Sequence, residues 1–268
     1  ALTGRETDTL KEEKDRGISI NLGFTYFDLP SGKRAGIIDV PGHEKFIKNM
    51  LAGISGIDIV MLVIAADEGI MPQTLEHLEI LQLLNIKKGM VVLTKKDLVD
   101  EEWLSMVEEE VKDAIKDSFL ADSPIIPVSS KTGEGIEKIM SYLDKAAEEV
   151  EAKDILGHFR MPVDRVFSIS GFGTVVTGTI YGGRITLGET VEIYPSGIKG
   201  KVRNIQIHDQ DMQQGEAGQR CALNIAGIKT EDIARGNIVA KEGALESSLM
   251  IDCTLNYLKS AAKPLENR

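Results

Sequence analysis

A doubly wound α/β domain followed by an antiparallel β-barrel is the architecture the sequence predicts, and three observations predict it. Up to Lys153, short apolar runs alternate with helical patterns, as in a mostly parallel sheet flanked by helices. Beyond it, short β-rich runs recur about every ten residues between Gly-rich or polar turns, which suits a small closed barrel. The chain has 268 residues, enough for about two domains with cores of their own.

Each element has its own warrant. Ala1-Leu2-Thr3-Gly4 reads as the end of a helix already under way, closed by glycine. Residues 6–16 are polar and highly charged with no apolar face, so an exposed, mobile, switch-like loop is expected. Residues 17–27 alternate as a strand, Ser31-Gly32-Lys33 turns the chain, and Ala35-Gly36-Ile37-Ile38 supplies the second strand of a hairpin. Residues 43–51 carry a helical pattern. Strands are expected at 57–66, 89–93 and 124–128, and helices at 72–84, 101–119 and 135–150. The barrel strands fall at 163–169, 174–181, 190–194, 200–207, 219–225 and 237–240, and residues 247–257 start another strand. Three domains result: 1–153, 154–244, and the opening of a third, truncated β-barrel at 245–268.

Composition narrows the function. The chain is 42% hydrophobic and 27% charged, with a net charge of −11. A broad basic face is therefore not expected, and RNA contact would need local Lys/Arg patches. Cys221 and Cys253 form neither a metal-spaced cluster nor a disulfide framework, which points to a reducing cytoplasm. The longest apolar run, residues 59–66, is too short to span a bilayer, and no signal peptide opens the chain.

Chemistry is expected where strands end, because ligands of open α/β sheets bind at the carboxyl edge. Asp39-Val40-Pro41-Gly42-His43 ends the second hairpin strand. Asp39 can hold a hydrated Mg²⁺, Gly42 lets a backbone N–H approach a phosphate oxygen, and His43 can orient a water. Thr94-Lys95-Lys96-Asp97 ends the next-but-one strand. The Asp97 carboxylate can accept two hydrogen bonds from a guanine edge, and the Lys95 stem can lie along the base. Ser129-Ser130-Lys131 ends the strand after that, where its N–H groups can meet the base carbonyl. Taken singly, each stretch also fits an ordinary loop.

Their order and spacing resemble the GTP-binding domain of translational GTPases. Arg16-Gly17-Ile18-Ser19-Ile20 resembles the first switch and Asp39-Val40-Pro41-Gly42-His43 the second. Thr94-Lys95-Lys96-Asp97 resembles the guanine motif and Ser129-Ser130-Lys131 the last base-contacting loop. The barrel run from Val166 to Gly178, Val-Phe-Ser-Ile-Ser-Gly-Phe-Gly-Thr-Val-Val-Thr-Gly, resembles theirs as well. The resemblance implies a P-loop-type GTPase using GTP/GDP and Mg²⁺. His43 would be catalytic. Asp39, Gly42, Thr94, Lys95, Asp97, Ser129, Ser130 and Lys131 would bind GTP, and Ser19 and Asp39 would hold the metal. Ser19 stands where Thr is usual and Thr94 where Asn is commoner. No G-x-x-x-x-G-K-[ST] occurs, and Ala1-Leu2-Thr3-Gly4 resembles the segment just past that loop in the family. The implied P-loop and its strand therefore lie upstream, and the chain as written is expected to bind GTP poorly and hydrolyse it negligibly.

Within that family the sequence is most similar to selenocysteine-specific elongation factors. Pro41-Gly42-His43-Glu44-Lys45-Phe46-Ile47-Lys48-Asn49-Met50 and Lys201-Val202-Arg203-Asn204-Ile205-Gln206-Ile207-His208 carry the resemblance. Arg165 stands where elongation factor Tu has an acid beside its aminoacyl pocket, and Arg220 ends Gly218-Gln219-Arg220 where that factor has Gly-Glu-Asn. A selenol ionises more readily than a thiol, so two guanidiniums would favour a selenolate over Ser or Cys. Phe24 would close the apolar side. The alternative for the arginines is pairing with Asp164 or Glu216 on the surface. The implied function is delivery of selenocysteyl-tRNA to the ribosome with GTP hydrolysis, by a monomer whose further domains would read an mRNA hairpin. The alternatives are another elongation or initiation GTPase, or a nucleotide-independent RNA-binding module.

Overall fold

The computed structural model describes residues 1–4, 7, 11–16, 19–43, 56–84, 86–151, 153–246, 248–255, 257 and 264. Helix α1 (Lys11–Arg16) precedes a hairpin of strands β1 (Gly23–Asp28) and β2 (Arg34–Asp39). Strand β3 (Val60–Ala65), helix α2 (Pro72–Leu83), strand β4 (Gly89–Thr94), helix α3 (Glu101–Ile115), strand β5 (Ile125–Pro127) and helix α4 (Ile136–Glu148) come next. Strands β3, β4 and β5 form a parallel sheet in that order. Strand β4 is the middle strand, and Met90 to Leu93 are all buried, as a strand covered on both faces must be.

The two faces of β4 show the double winding. Val91 and Leu93 pack with Leu62, Ile64, Leu78 of α2 and Leu104, Val107 and Val111 of α3. Met90 and Val92 point the other way, to Ile139 and Leu143 of α4 and to Phe27 and Leu29 of the hairpin. Helix α3 starts because the Asp100 carboxylate accepts from Trp103 N–H at 2.8 Å. It stops at Ile115, short of residue 119. The Ser118 hydroxyl donates to Ile115 O at 2.7 Å and accepts from Leu120 N–H at 3.1 Å, competing with the helical ladder.

The second domain comprises β6 (Arg160–Pro162), β7 (Arg165–Ile169), β8 (Gly173–Thr179), β9 (Arg184–Thr186) and β10 (Thr190–Tyr194). It continues with β11 (Ile198–Ile207), β12 (Gln210–Met212), β13 (Gln214–Glu216), β14 (Arg220–Ala226) and β15 (Ile238–Lys241). The main sheet runs β6-β15-β10-β11-β14-β8-β7 with β12 on β11, while β9 and β13 pair separately. All pairs are antiparallel and enclose one core that includes Phe159, Met161, Val176, Ile193, Ile205 and Leu223. Closure depends on Gly178, where a Cβ would lie 2.1 Å from Pro162 O, so β6 lies against β8 as no larger residue allows.

Several expectations are corrected. Residues 1–4 hold no helical turn, although Gly4 keeps a φ of +64°. The charged stretch 6–16 is not simply a mobile loop: α1 forms in it, and Glu13 is 2% exposed. The first hairpin strand begins at Gly23, and residues 19–22 lie outside it. Residues 248–255 form no strand and expose Leu249, Met250, Ile251 and Leu255, because a strand needs a ladder partner. The helical pattern at 43–51 lies, beyond His43, outside the described residues.

Candidate functional site

The carboxyl edge of the sheets gathers the polar loops expected there. Asp39 ends β2 opposite Gly23, and its Oδ2 accepts from the Thr7 hydroxyl at 2.6 Å. Pro41 is buried, while Gly42 and His43 are exposed. A side chain at Gly42 would come within 4.0 Å of His77 Cε1 on α2. His77 was not legible as a site residue. Its Nε2 is buried without a hydrogen-bond partner among the described residues, and burial pulls its pKa below the ordinary value. Asp39 and Ser19 offer hard oxygen donors, which suit Mg²⁺. Among the described residues no group of three or more His, Cys, Asp or Glu converges, but an ion held mostly by water and phosphate needs no such cage.

The Thr94–Asp97 and Ser129–Lys131 loops are joined to each other. Lys96 N–H donates to Val128 O at 3.1 Å. The Ser129 hydroxyl accepts from Thr132 N–H at 3.1 Å. The nearby Ser129 hydroxyl, with Lys131 assisting, holds the Asp97 carboxyl below the usual carboxylate range against a smaller effect of burial. Asp97 is exposed, so its charged oxygens face solvent where a guanine edge would dock. Ser129 is completely buried and therefore braces the loop, while Ser130 and Lys131 are exposed. Lys95 has a left-handed backbone, φ 59° and ψ 29°. Its ammonium reaches Asp67 at 3.0 Å and Glu68 at 2.9 Å, so the stem spans two loops. Thr94 braces too: its hydroxyl donates to Ile64 O at 3.3 Å, and its carbonyl accepts from Ala66 N–H at 2.8 Å. A shorter side chain than Asn thus still ties β4 to β3.

A third group sits between the hairpin and the barrel. The Arg220 guanidinium grips Asp164 through Nε at 3.2 Å and Nη2 at 3.0 Å, and Nη2 also reaches Thr177 Oγ1 at 3.2 Å. Thr177 donates to the same carboxylate. The Phe24 ring of β1 covers Arg220, its centroid 3.4 Å from Cζ, and the Arg165 guanidinium lies 5.3 Å from that ring. Arg165 donates to Leu22 O. The pairing with Asp164 weighed for the arginines is thus present for Arg220, but in a largely buried cluster: Asp164 is 7% exposed. Burial lowers the Arg220 pKa most, and Asp164 opposes it. Two guanidiniums against one carboxylate leave one positive charge beside an aromatic face. That arrangement can receive a small anionic group. Thr177 escaped sequence reasoning because nothing in its spacing marks it, and Asp164 was legible only as a surface partner of the arginines.

Residues 2–149 match the elongation factor Tu GTP binding domain, and residues 173–240 match elongation factor Tu domain 2. The selenocysteine-specific elongation factor of Desulfomicrobium baculatum is 49% identical over 268 residues, which are 100% of this chain and 42% of that protein. The crystal structure of a bacterial selenocysteine-specific elongation factor, EF-Sec, superposes with a TM-score of 0.85 at 41% identity, over 90% of this chain and 41% of that one. Translation elongation factor SelB from Methanococcus maripaludis, in complex with the GTP analogue GppNHp, gives 0.79 at 34% identity, over 84% and 50%. The chain spans half or less of the length of these relatives.

Proposed function

The chain belongs to the elongation factor Tu family of GTP-binding proteins and is homologous to selenocysteine-specific elongation factors, and from that premise we propose that it serves a translational GTPase delivering selenocysteyl-tRNA to the ribosome. The observation that carries the proposal is the joined pair of loops at the sheet edge, where Lys96 N–H donates to Val128 O at 3.1 Å and Asp97 stands exposed beside the Ser129 loop. The two acceptor oxygens of one carboxylate match the N1–H and 2-amino group of guanine, and adenine offers no such donor pair. Thr94 and Lys95 set the height of that loop, and Ser130 and Lys131 present N–H groups to the base carbonyl. Asp39 and Ser19 would hold Mg²⁺, which when bound neutralises charge that develops between the phosphates. Gly42 leaves room for backbone N–H to meet the γ-phosphate, and His43, exposed next to it, orients the attacking water.

The barrel arginines choose the amino acid. A selenolate is anionic at neutral pH, and the net positive charge at Arg165, Arg220 and Asp164 favours it over a neutral hydroxyl. Phe24 supplies the apolar wall. Selenocysteyl-tRNA and the ribosome are the proposed partners. An mRNA hairpin would be read by sequence outside these 268 residues, and the protein would act as a cytoplasmic monomer.

Nucleotide titration tests the core of this reading. In the full-length protein, Asp97→Asn should weaken GTP by about 1–3 kcal/mol, because charge-assisted acceptors are lost. It should favour xanthosine triphosphate relative to GTP, since Asn can donate to a 2-oxo group. An unchanged guanine-over-xanthine preference contradicts the assignment.

A further inference from the structure

Glu13 is a buried charge outside the nucleotide loops and the arginine cluster. It lies on α1, is 2% exposed, and its Oε1 accepts from the backbone N–H groups of Ile20 at 3.1 Å and Asn21 at 3.0 Å. A carboxylate is expelled from such a place unless donors compensate it, and two charge-assisted bonds to consecutive amides do so. The amides it holds directly follow Ser19. From there the chain is fixed on other sides too: Leu22 O by Arg165, Gly23 by pairing with Asp39. Thr7 lies over the same stretch, because a Cβ on Gly23 would sit 2.6 Å from Thr7 Cβ.

We propose that Glu13 is a positioning residue for Ser19: by clamping the amides of Ile20 and Asn21 it presents the Ser19 hydroxyl towards the Asp39 edge. The inference rests on the reading of Ser19 and Asp39 as the metal-holding pair. The polar, charged sequence of α1 then has a function other than solubility. The short helix carries one carboxylate to the Ile20 and Asn21 amides. Glutamine retains the length and an acceptor oxygen but not the charge. Aspartate is one methylene too short to reach both amides from the same backbone position.

The test uses the full-length protein and two readouts. Amide hydrogen exchange at Ile20 and Asn21 reports the clamp, and the Mg²⁺ concentration that half-saturates retention of a fluorescent GTP analogue reports Ser19. Glu13→Ala should speed exchange at both amides and raise the half-saturating Mg²⁺, each on the order of tenfold, and Glu13→Gln should fall between it and the parent. Glu13→Gln also serves where the alanine variant folds poorly. Ser19→Ala should raise the Mg²⁺ midpoint while leaving exchange at Ile20 and Asn21 unchanged. A purely structural Glu13 would lower the melting temperature and leave the Mg²⁺ midpoint where it was, which overturns the proposal, as does unchanged exchange. A Ser19→Ala protein with a normal Mg²⁺ midpoint counts against the metal role of Ser19 itself, and exchange then still decides the clamp.

Discussion

At the level of single side chains, the proposed function divides its work between Asp97 and His43. Asp97, exposed and with its carboxyl held below the usual range, is the proposed base-recognising group, whereas His43 stands exposed beside a glycine and is the proposed water-positioning group. The two should therefore separate in kinetics. His43→Ala in the full-length protein should leave GTP affinity near normal and cut ribosome-stimulated hydrolysis by about 10²-fold or more. Normal single-turnover hydrolysis on ribosomes would show a solvated histidine without a catalytic role. Arg220 makes a different point. It is engaged by Asp164 and Thr177 and still faces an aromatic ring, so ion pairing is compatible with the binding role proposed for it.

Elements place these residues, and Gly135 shows how. It caps α4 with a φ of +83°, and a Cβ there would lie 2.4 Å from Pro127 O and 2.9 Å from Val128 Cγ1. Gly135→Ala should cost about 1–3 kcal/mol in denaturant unfolding, from left-handed strain together with a clash against backbone. It should also weaken guanine nucleotide, because the strained turn holds the Ser129 loop. Unfolding at the wild-type midpoint would contradict this. Sequence patterns revealed β3, β4, β5 and their helices because apolar period and turn residues mark them within a few residues. They revealed the loops at the strand ends for the same reason. They did not reveal β6, β9, β12 and β13, three residues each, which exist only through partners distant in the chain. Glu13 was hidden by its company: among Lys11, Glu12 and Lys14 a buried acid looks like one more solvated charge. Asp164 was seen as a partner but not as the buried centre of a cluster.

Across the whole molecule, the hairpin is the joint between the domains. Phe24 meets the barrel arginines, and two residues on, the Tyr26 ring lies tilted at 55° against His208 with centroids 4.9 Å apart. Lys153 adds a bond to Gly56 O and an ion pair to Asp58, each at 2.8 Å. The His208 pKa is pushed below its ordinary 6.5, by burial first and then by Arg34, with Asp209 and Asp28 opposing and Arg220 assisting. A base whose folded pKa is depressed binds more protons when unfolded. Its contribution is therefore unimpaired above 6.5 and becomes destabilising as pH falls from 6.5 towards the lowered value. His208→Asn should flatten the loss of stability over that window relative to the parent. Parallel pH–stability curves for the two proteins would contradict the placement of His208.

The claim that joins nucleotide site and barrel is amino-acid choice, and one ratio measures it. Binding of selenocysteyl-tRNA and of the seryl form of the same tRNA is measured with the GTP-bound full-length protein and its Arg220→Ala and Arg165→Ala variants. The tRNA body and any general loss of stability are common to both ligands and cancel. A desolvated, charge-assisted contact contributes about 1.5–3 kcal/mol, so Arg220→Ala should lower the preference for the selenocysteyl form roughly ten- to a hundredfold, and Arg165→Ala, at an exposed side chain, should lower it less. Seryl-tRNA binding should hardly change. If both variants keep the wild-type ratio, the arginines between hairpin and barrel do not hold the selenolate.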